Sequence, residues 1–356
     1  MIFILLALVC QINIVDQGAI PGDGVDDSPA IERAIKLALA SEQSVYVPEG
    51  VFESASLSFW QRENTTLVIR GESHNSVIRR HANKSWTQRC RIKDRCVLRF
   101  ENLQLDGNNR NLPATPGDDQ HHEIRIDGTG EPALVEFEDI WLRDMQADGI
   151  QFVHNGLQIA RLTRVSFIGG STGRRNIQFS YHPKTAIVSD CVLDDLSTEP
   201  AGGTQNRVNL LVSNCIIQGQ ANLQECGDLR VANTRIGHLS QLTCDSGSMT
   251  GCDVQSVRRF AVGPSNITVR DSRWRLTDTM KVWSRFPRMK QSILFDNVQF
   301  ESPENLPVFF EAIGDAKANA KIEFKNCDIP PGSWRIGTGY DVKILGPVEV
   351  VRGEEL

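Results

Sequence analysis

Four stretches in the middle of the chain place ionisable and amide side chains at matching positions. They read His122-Glu-Ile-Arg-Ile-Asp127, Asp148-Gly-Ile-Gln-Phe-Val153, Arg175-Asn-Ile-Gln-Phe-Ser180 and Asn206-Arg-Val-Asn-Leu-Leu211. Each alternates apolar with polar residues, the mark of a strand with one buried face. Ile124/Ile126, Ile150/Phe152, Ile177/Phe179 and Val208/Leu210 then point inward. Arg125, Gln151, Gln178 and Asn209 form one outward column, and Glu123, Gly149, Asn176 and Arg207 the column before it. His122, Asp148, Arg175 and Asn206 sit at the turn ahead of each strand. Neighbouring strands lie about 4.8 Å apart and same-face residues about 6.6 Å apart, so one extended ligand can meet all these groups.

Their types suit a sugar polymer. Asn and Gln serve hydroxyls, and Arg pairs bidentately with carboxylates. Any exposed strand face is polar, so the amides alone say little. The acids, the histidine and the arginines on adjacent turns are what single this face out. Two carboxylates about 6.5–9.5 Å apart support inverting hydrolysis, and Glu123 with Asp148 is the pair on offer. A base beside a cation that stabilises an enolate-like carboxylate supports β-elimination. Arg125, Arg174, Arg175 and Arg207 are the cationic groups available to such a site. A base and an acid on opposite faces of a sugar support epimerisation. His154 and Tyr181-His182 follow the second and third strands, and His182 is placed among the substrate-binding residues.

Strands this short cannot bury an apolar face alone. A second pattern shows how they are stacked: apolar, any, Asn or Asp, apolar or Cys, any, apolar. It reads Phe100-Glu-Asn-Leu-Gln-Leu105, Phe137-Glu-Asp-Ile-Trp-Leu142, Val188-Ser-Asp-Cys-Val-Leu193 and Val212-Ser-Asn-Cys-Ile-Ile217. Val231-Ala-Asn-Thr-Arg-Ile236, Val269-Arg-Asp-Ser-Arg-Trp274, Phe295-Asp-Asn-Val-Gln-Phe300 and Phe324-Lys-Asn-Cys-Asp-Ile329 follow, with Leu162-Thr-Arg-Val165 and Met249-Thr-Gly-Cys252 as degenerate copies. Copies recur roughly every 18–37 residues, the regime of a stacked solenoid. The chain therefore reads as an all-β parallel β-helix.

Ahead of the ladder, Ile12 to Val15 is a short strand and Pro21-Gly-Asp-Gly24 a turn. Asp26-Asp-Ser-Pro29 starts a helix with Pro at its first position. Ile31, Ala34, Ile35 and Ala38 fall on one helical face, suited to closing the open end of a solenoid. Ser44 to Val47 is a strand. One domain over 12–356 is expected, with a cap at about 12–60 and a ladder at about 61–350. Residues 1–11 form a truncated signal peptide or a first strand.

The 40% hydrophobic content of 356 residues is ample for a core, and the net charge of −6 argues against a nucleic-acid partner. No apolar run is long enough to span a membrane. Of nine cysteines, Cys191, Cys215, Cys252 and Cys327 share a phrase position that is apolar elsewhere and read as small buried hydrophobes. Cys90 and Cys96, flanking a basic loop, are the one pair read as a disulfide. The loop 106–120 is long, polar and turn-rich, and is expected to protrude. Asp118, Asp119, His121, His122 and Glu123 match no ligand spacing, so no metal site is read there.

The run GAIPGDGVDDSPAIERAI followed by VYVPEGVF resembles the N-terminal signature of the pectate lyase-like superfamily, in its rhamnogalacturonase/epimerase-like branch. The resemblance, with the ladder behind it, covers nearly the whole chain. It implies a right-handed parallel β-helix with an N-terminal capping helix. It is nearly silent on chemistry, since that superfamily holds lyases, hydrolases, epimerases and phage tailspikes. Polygalacturonase-like members carry N-T-D-G-x-D, D-D and G-H-G. Here Gln146-Ala-Asp-Gly-Ile-Gln151 keeps only Asp148, and no Gly-His-Gly follows. The Asp-Pro-His signature of alginate epimerases is absent too. Lyases of this fold often use Arg or Lys as base with calcium, which Asp127 and Asp148 would hold. Bacterial relatives carrying H-G-I-x-I-x-G, D-G-I, R-R-x-x-I and V-x-N-V-x-V-x-N-C are matched at His122 to Gly128, Asp148 to Ile150, Arg174 to Ile177 and Val208 to Cys215. Their Gly-Ile-Asp-x-Glu element is replaced by Ala201-Gly-Gly-Thr-Gln205.

The expectation is a secreted, periplasmic or cell-surface protein acting on an acidic polysaccharide, with elimination ahead of hydrolysis. Asp148, Arg175, Glu123 and His122 are the catalytic candidates. Arg125, Gln151, Asn176, Gln178, Arg207, Asn209 and His182 are the binding candidates, and calcium is the one cofactor entertained. The alternative is a carbohydrate-binding or tailspike-like β-helix without turnover. A monomer is expected for the first, a trimer for a spike.

Overall fold

The recurring phrase folds as a bent pair of strands. The computed structural model describes residues 11–55, 57–81, 88–92, 95–111, 124–129, 133–145, 148–155, 157–169, 176–180, 183–198, 207–260, 265–277, 279–284, 290–302, 308–314, 319–330, 333–336 and 340–345. The strand Val97–Asp106 bends at Asn102, and Leu134–Arg143 at Asp139. Both corner residues take a left-handed conformation, with φ of +52° and +54°. That conformation is costly for most side chains and least so for Asn, Asp and Gly. The same holds at Asp190, Asn214, Asn233, Gly251, Asp271, Asn297 and Asn326. Arg164 is the exception in type, at φ +53°, and its guanidinium bridges back to Glu138 and to the corner carboxylate Asp139.

The residue after the corner explains the cysteines. Cys191, Cys215, Cys252 and Cys327 each donate from Sγ to the carbonyl two residues earlier, at 3.1, 3.1, 3.5 and 3.3 Å. Thr234 and Ser272 do the same from their hydroxyls at 2.8 and 2.6 Å. These six positions therefore combine a compact donor with a small body, where Leu103, Ile140, Val165 and Val298 fill the same place with an apolar side chain, and Cys327 is only half-buried. The expected Cys90–Cys96 disulfide is not present. Cys90 faces inward, in register with Phe59 and Ile126 of the adjacent strands, and Cys96 donates to the Arg62 carbonyl at 2.7 Å.

The chain divides into two compact units, Met1–Asn176 and Ile177–Leu356. Each is a right-handed parallel β-helix with three strand ladders. In the first unit one ladder runs through Ser58–Gln61, Gln88–Ile92, Ile124–Thr129 and Ile150–Asn155. A second runs through Gln11–Asn13, Ser44–Val47, Thr66–Gly71, the first half of Val97–Asp106, the first half of Leu134–Arg143 and Ile159–Thr163. The third, beyond the corners, holds Gly50–Ser54, Ser76–Arg80 and the second halves of the bent strands. In the second unit the first ladder passes from Ile177–Phe179 to Leu196–Ser197 and onward to Val257–Phe260, Met280–Ser284, Val308–Gly314 and Ser333–Ile336. The interior is apolar throughout. Phe100 stacks on Phe137 at 4.9 Å in the first unit, and Trp274, Phe295 and Phe324 pack together in the second.

The helix Ser28–Ser41 buries Ile31, Ala34, Ile35 and Ala38 and lies against the first strands, as its pattern predicts. The initial strand is shorter than expected, Gln11–Asn13, because Val15–Gln17 turns as a 3-10 helix. The paired aspartates before the helix tie three segments together. Asp26 Oδ1 accepts from the N–H of Ser28 and of Ala55, at 3.0 and 2.9 Å. Asp27 accepts from Ile20 at 2.9 Å and from Glu53 at 3.1 Å. These acids therefore latch the cap to the ladder. Residues 1–10, most of the segment expected to be a truncated signal peptide or a first strand, and 112–120, most of the polar loop, lie outside the described residues.

The corner column is testable at Thr234, which is buried, donates to Ala232 and also accepts the Cys215 N–H at 3.4 Å. Thr234→Val keeps the shape and loses the hydroxyl, and is expected to cost about 1–3 kcal/mol in denaturant unfolding. Thr234→Cys, which restores a donor used at the other corners, is expected to unfold close to the parent. Equal stability of the two variants would remove the donor role.

Candidate functional site

In the first unit Ile124, Ile126, Ile150 and Phe152 are buried, so Arg125 and Gln151 lie side by side on the opposite face, as the alternation requires. Arg125 is half-buried and its Nε donates to Asp127 Oδ1 at 2.8 Å, two residues along the same face. Asp148 is wholly enclosed, at 0% exposure, and Asn176 and Gln151 are nearly so. The turn that carries Asp148 is clamped. The Ile124 N–H donates to the Gly149 carbonyl at 2.9 Å, and the Ile150 N–H to the Asn176 carbonyl at 2.8 Å. A Cβ at Gly149 would stand 2.7 Å from that Asn176 oxygen, which explains the glycine. The structure thus places Asp148 beneath the surface, whereas the spacing alone puts it at the rim of a cleft. His122, Glu123, Arg175 and His182 lie outside the described residues.

The same face of the first unit carries a column that the sequence reading missed. Trp60, Arg91 and Asp127 stand in register on three adjacent strands. Trp60 is 58% exposed, and the Arg91 guanidinium carbon lies 4.7 Å from the centroid of its ring. Its signal is the alternation Ser58-Phe-Trp-Gln61, in which Phe59 and Gln61 are buried and Trp60 is not.

In the second unit Gln178 projects between buried Ile177 and Phe179. Arg207 and Asn209 do not continue its column. Gln178 is opposite Ser197, whereas Asn209 is opposite Thr185 on the second ladder. The apolar pair Val208/Leu210 does point inward, but from a different wall of the helix, because a further strand at Leu196–Ser197 intervenes in the first ladder. Arg207 instead pairs with Asp245, and Asn209 Oδ1 accepts the Asp228 N–H at 3.0 Å.

The true column runs Gln178, Ser197, Asn222, Gln241, Arg259, Lys281, Glu311, Arg335. Its members from Ser197 onward escaped the sequence reading, because Leu196–Ser197 is too short to show a period and the pairing slips between Ala221 and Asn222. The triads Met280-Lys-Val282 and Phe310-Glu-Ala312 carry the signal even so. Glu311 stands between two cations, with Lys281 Nζ at 3.6 Å and Arg335 Nη1 at 3.7 Å. Lys281 and Arg335 are exposed. Ser197 and Asn222 are buried, so the column presents two half-buried amides, Gln178 and Gln241, followed by three cations and one acid.

A cavity of about 500 Å³ lies elsewhere in this unit, at the corners. Gly251 supplies no side chain where other corners have Asn or Asp, and Asp253, Asp271, Asn297 and Asn326 wall the gap. Arg273, also in the wall, is held by Glu301. Among the described residues no cluster of His, Cys, Asp and Glu could hold a metal ion, and no helix is long and apolar enough to cross a membrane.

No protein-family model matches this chain, and no curated protein sequence does. Solved structures do. The catalytic domain of Agl-KA is similar over 94% of this chain and 68% of its own, with a TM-score of 0.54 at 14% identity. The surface protein and adhesin PfbA of Streptococcus pneumoniae is similar over 96% of this chain and all of its own, with a TM-score of 0.51 at 11% identity. At such identities the likeness is one of fold: both are matched along almost the whole parallel β-helix.

His238 adds a titratable group ahead of the column. Its Nδ1 lies 2.5 Å from Ser256 Oγ, and burial, followed by the charge of Arg258, holds its pKa below the ordinary 6.5. The unfolded chain then binds the proton more readily, so the group's stabilising contribution is full above that value and is lost as pH falls through the folded pKa. Unfolding midpoints between about pH 5 and 8, where an imidazole titrates, are expected to fall on acidification. His238→Gln is expected to flatten that slope, and an unchanged slope would contradict the assignment.

Proposed function

We propose that this chain is a carbohydrate-active β-helix of the pectate lyase-like kind that acts on an acidic polysaccharide outside the cytoplasm. The observation that carries the reading is the first-ladder column of the second unit. Gln178 and Gln241, flanking the buried Ser197 and Asn222, carry amides suited to hydroxyls, and Arg259, Lys281 and Arg335 offer cations suited to carboxylates. The charged members stand on consecutive strands at the usual spacing of about 4.8 Å, so a polymer with regular substituents can meet them in series. The protein as a whole has a net charge of −6. Three cations against one acid along this stretch are therefore a local feature, not a reflection of composition.

For the reaction, β-elimination is put ahead of hydrolysis. A base removes the C5 proton of a uronate, the C4–C5 double bond forms, and the C4 oxygen leaves with a proton. Arg175 is proposed as the base, with Asp148, His122 and Glu123 in support; hydrolysis by Glu123 and Asp148 is the runner-up. A binding β-helix without turnover is the second reading, favoured by one observation: Asp148 is fully enclosed. The two similar folds, one a catalytic domain and one an adhesin, are compatible with either.

Absorbance near 235 nm, from the unsaturated uronate product, tests the reaction on pectin, rhamnogalacturonan and alginate with and without calcium. A rise abolished by Asp148→Asn with Arg175→Ala supports the lyase. New reducing ends without that rise support hydrolysis. Retention without either supports the binding module. In each case Arg259→Ala with Lys281→Ala is expected to weaken binding on the order of tenfold, about 1.4 kcal/mol. Full retention by that variant would overturn the column as the binding face.

A further inference from the structure

Among the described residues, Trp60 is the large aromatic side chain that the first ladder of the first unit turns outward. The strand Ser58–Gln61 buries Phe59 and Gln61, so Trp60 faces away from the core, and 58% of it meets solvent. Its apolar surface is left open at a cost, while Phe52, Phe100, Phe137 and Phe152 in the same unit are fully buried. The capping helix does not account for it: the helix contact to this strand includes Glu32 accepting from the Ser58 N–H at 3.4 Å, and the indole remains exposed.

Its surroundings are polar and charged in a set order. Arg91, directly opposite on the next strand, lays its guanidinium over the ring at 4.7 Å. That contact is a cation–π pair, and it limits the orientations open to both side chains. Among the described residues Arg91 has no ion pair. Asp127 follows in register and binds Arg125 at 2.8 Å. A platform, a cation, an acid and a second cation thus lie across three strands, a width of roughly 10 Å at the usual ladder spacing.

We infer that Trp60 is a stacking platform for one sugar ring of a uronate-bearing oligosaccharide, with Arg91 placed to meet that ring's carboxylate. The inference rests on the acidic-polysaccharide reading above and adds to it a subsite in the first unit. An indole offers a broad apolar face with little conformational entropy to lose. The C–H face of a pyranose fits it, and a guanidinium suits a carboxylate in a bidentate contact. Two arginines against one aspartate make the surroundings of the indole favour an anionic sugar over a neutral one.

The test is binding of penta-galacturonate to the full chain by calorimetry, alongside a neutral pentasaccharide of similar length. Parent, Trp60→Ala, Trp60→Phe, Arg91→Ala and the double variant Arg259→Ala with Lys281→Ala are compared, each checked for an unchanged melting curve. Trp60→Ala is expected to weaken binding at least tenfold, and Trp60→Phe, which keeps a flat ring, to recover most of it. Arg91→Ala is expected to weaken the acidic ligand alone. Parent-like affinity in Trp60→Ala, with weakening in the double variant, overturns the platform and leaves the polysaccharide reading standing. Failure of the parent to bind any acidic oligosaccharide overturns that reading and the platform with it.

Discussion

The left-handed corner is the constraint on which the rest depends. At each described corner from Asn102 to Asn326 one residue takes a positive φ of about +50° to +64°, and Asn or Asp occupies most of these positions. The strain is offset locally. In the second unit Asn214 Nδ2 donates to Asp190 at 3.1 Å, and Asn297 Nδ2 to Asp271 at 2.7 Å. In the first, Asn102 donates to the Gly71 and Glu72 carbonyls. At six corners the next residue, Cys191, Cys215, Thr234, Cys252, Ser272 or Cys327, back-bonds to the carbonyl two residues earlier. Because these bonds run between neighbouring turns as well as within them, they hold one corner directly over the next. A corner that slipped by one residue would send every side chain beyond it to the wrong face.

Alignment of the corners is what turns scattered polar residues into columns. Glu311 lies between Lys281 and Arg335 only because Phe310, Ala312, Met280 and Val282 are held inward on successive strands. Trp60 faces solvent for the same reason, since Phe59 and Gln61 on either side are committed to the interior. The polar face is therefore a by-product of core packing in position, and a choice of residue type in chemistry. A solenoid can change what it binds by changing outward residues without touching its inward ones.

Much of the architecture was legible because it rests on short-range signals. The corner phrase, the helical face of Ile31, Ala34, Ile35 and Ala38, and the inward pairs at 124/126, 150/152 and 177/179 all come from local periodicity. What was not legible depends on how long each turn is. Asn209 looks like the next member after Gln178, because its own triad alternates correctly. A strand as short as Leu196–Ser197 leaves almost no periodic trace, and it is this strand that takes the place. The Cys90–Cys96 pairing failed for a related reason. Closeness in sequence is irrelevant when one thiol lies inside a strand and the other bonds a carbonyl across the turn. The role of Asp26 and Asp27 as a latch was hidden because their partners, Ile20, Glu53 and Ala55, come from two other segments.

The central claim is that an acidic polysaccharide lies on the outward face of the second unit's first ladder. A crystal structure of the chain with a short oligogalacturonate tests it most directly. The account predicts sugar density along the strands, with carboxylates against Arg259, Lys281 or Arg335. Sugar seated instead in the corner cavity walled by Asp253, Asp271 and Asn297, with the first-ladder face bare, would contradict it.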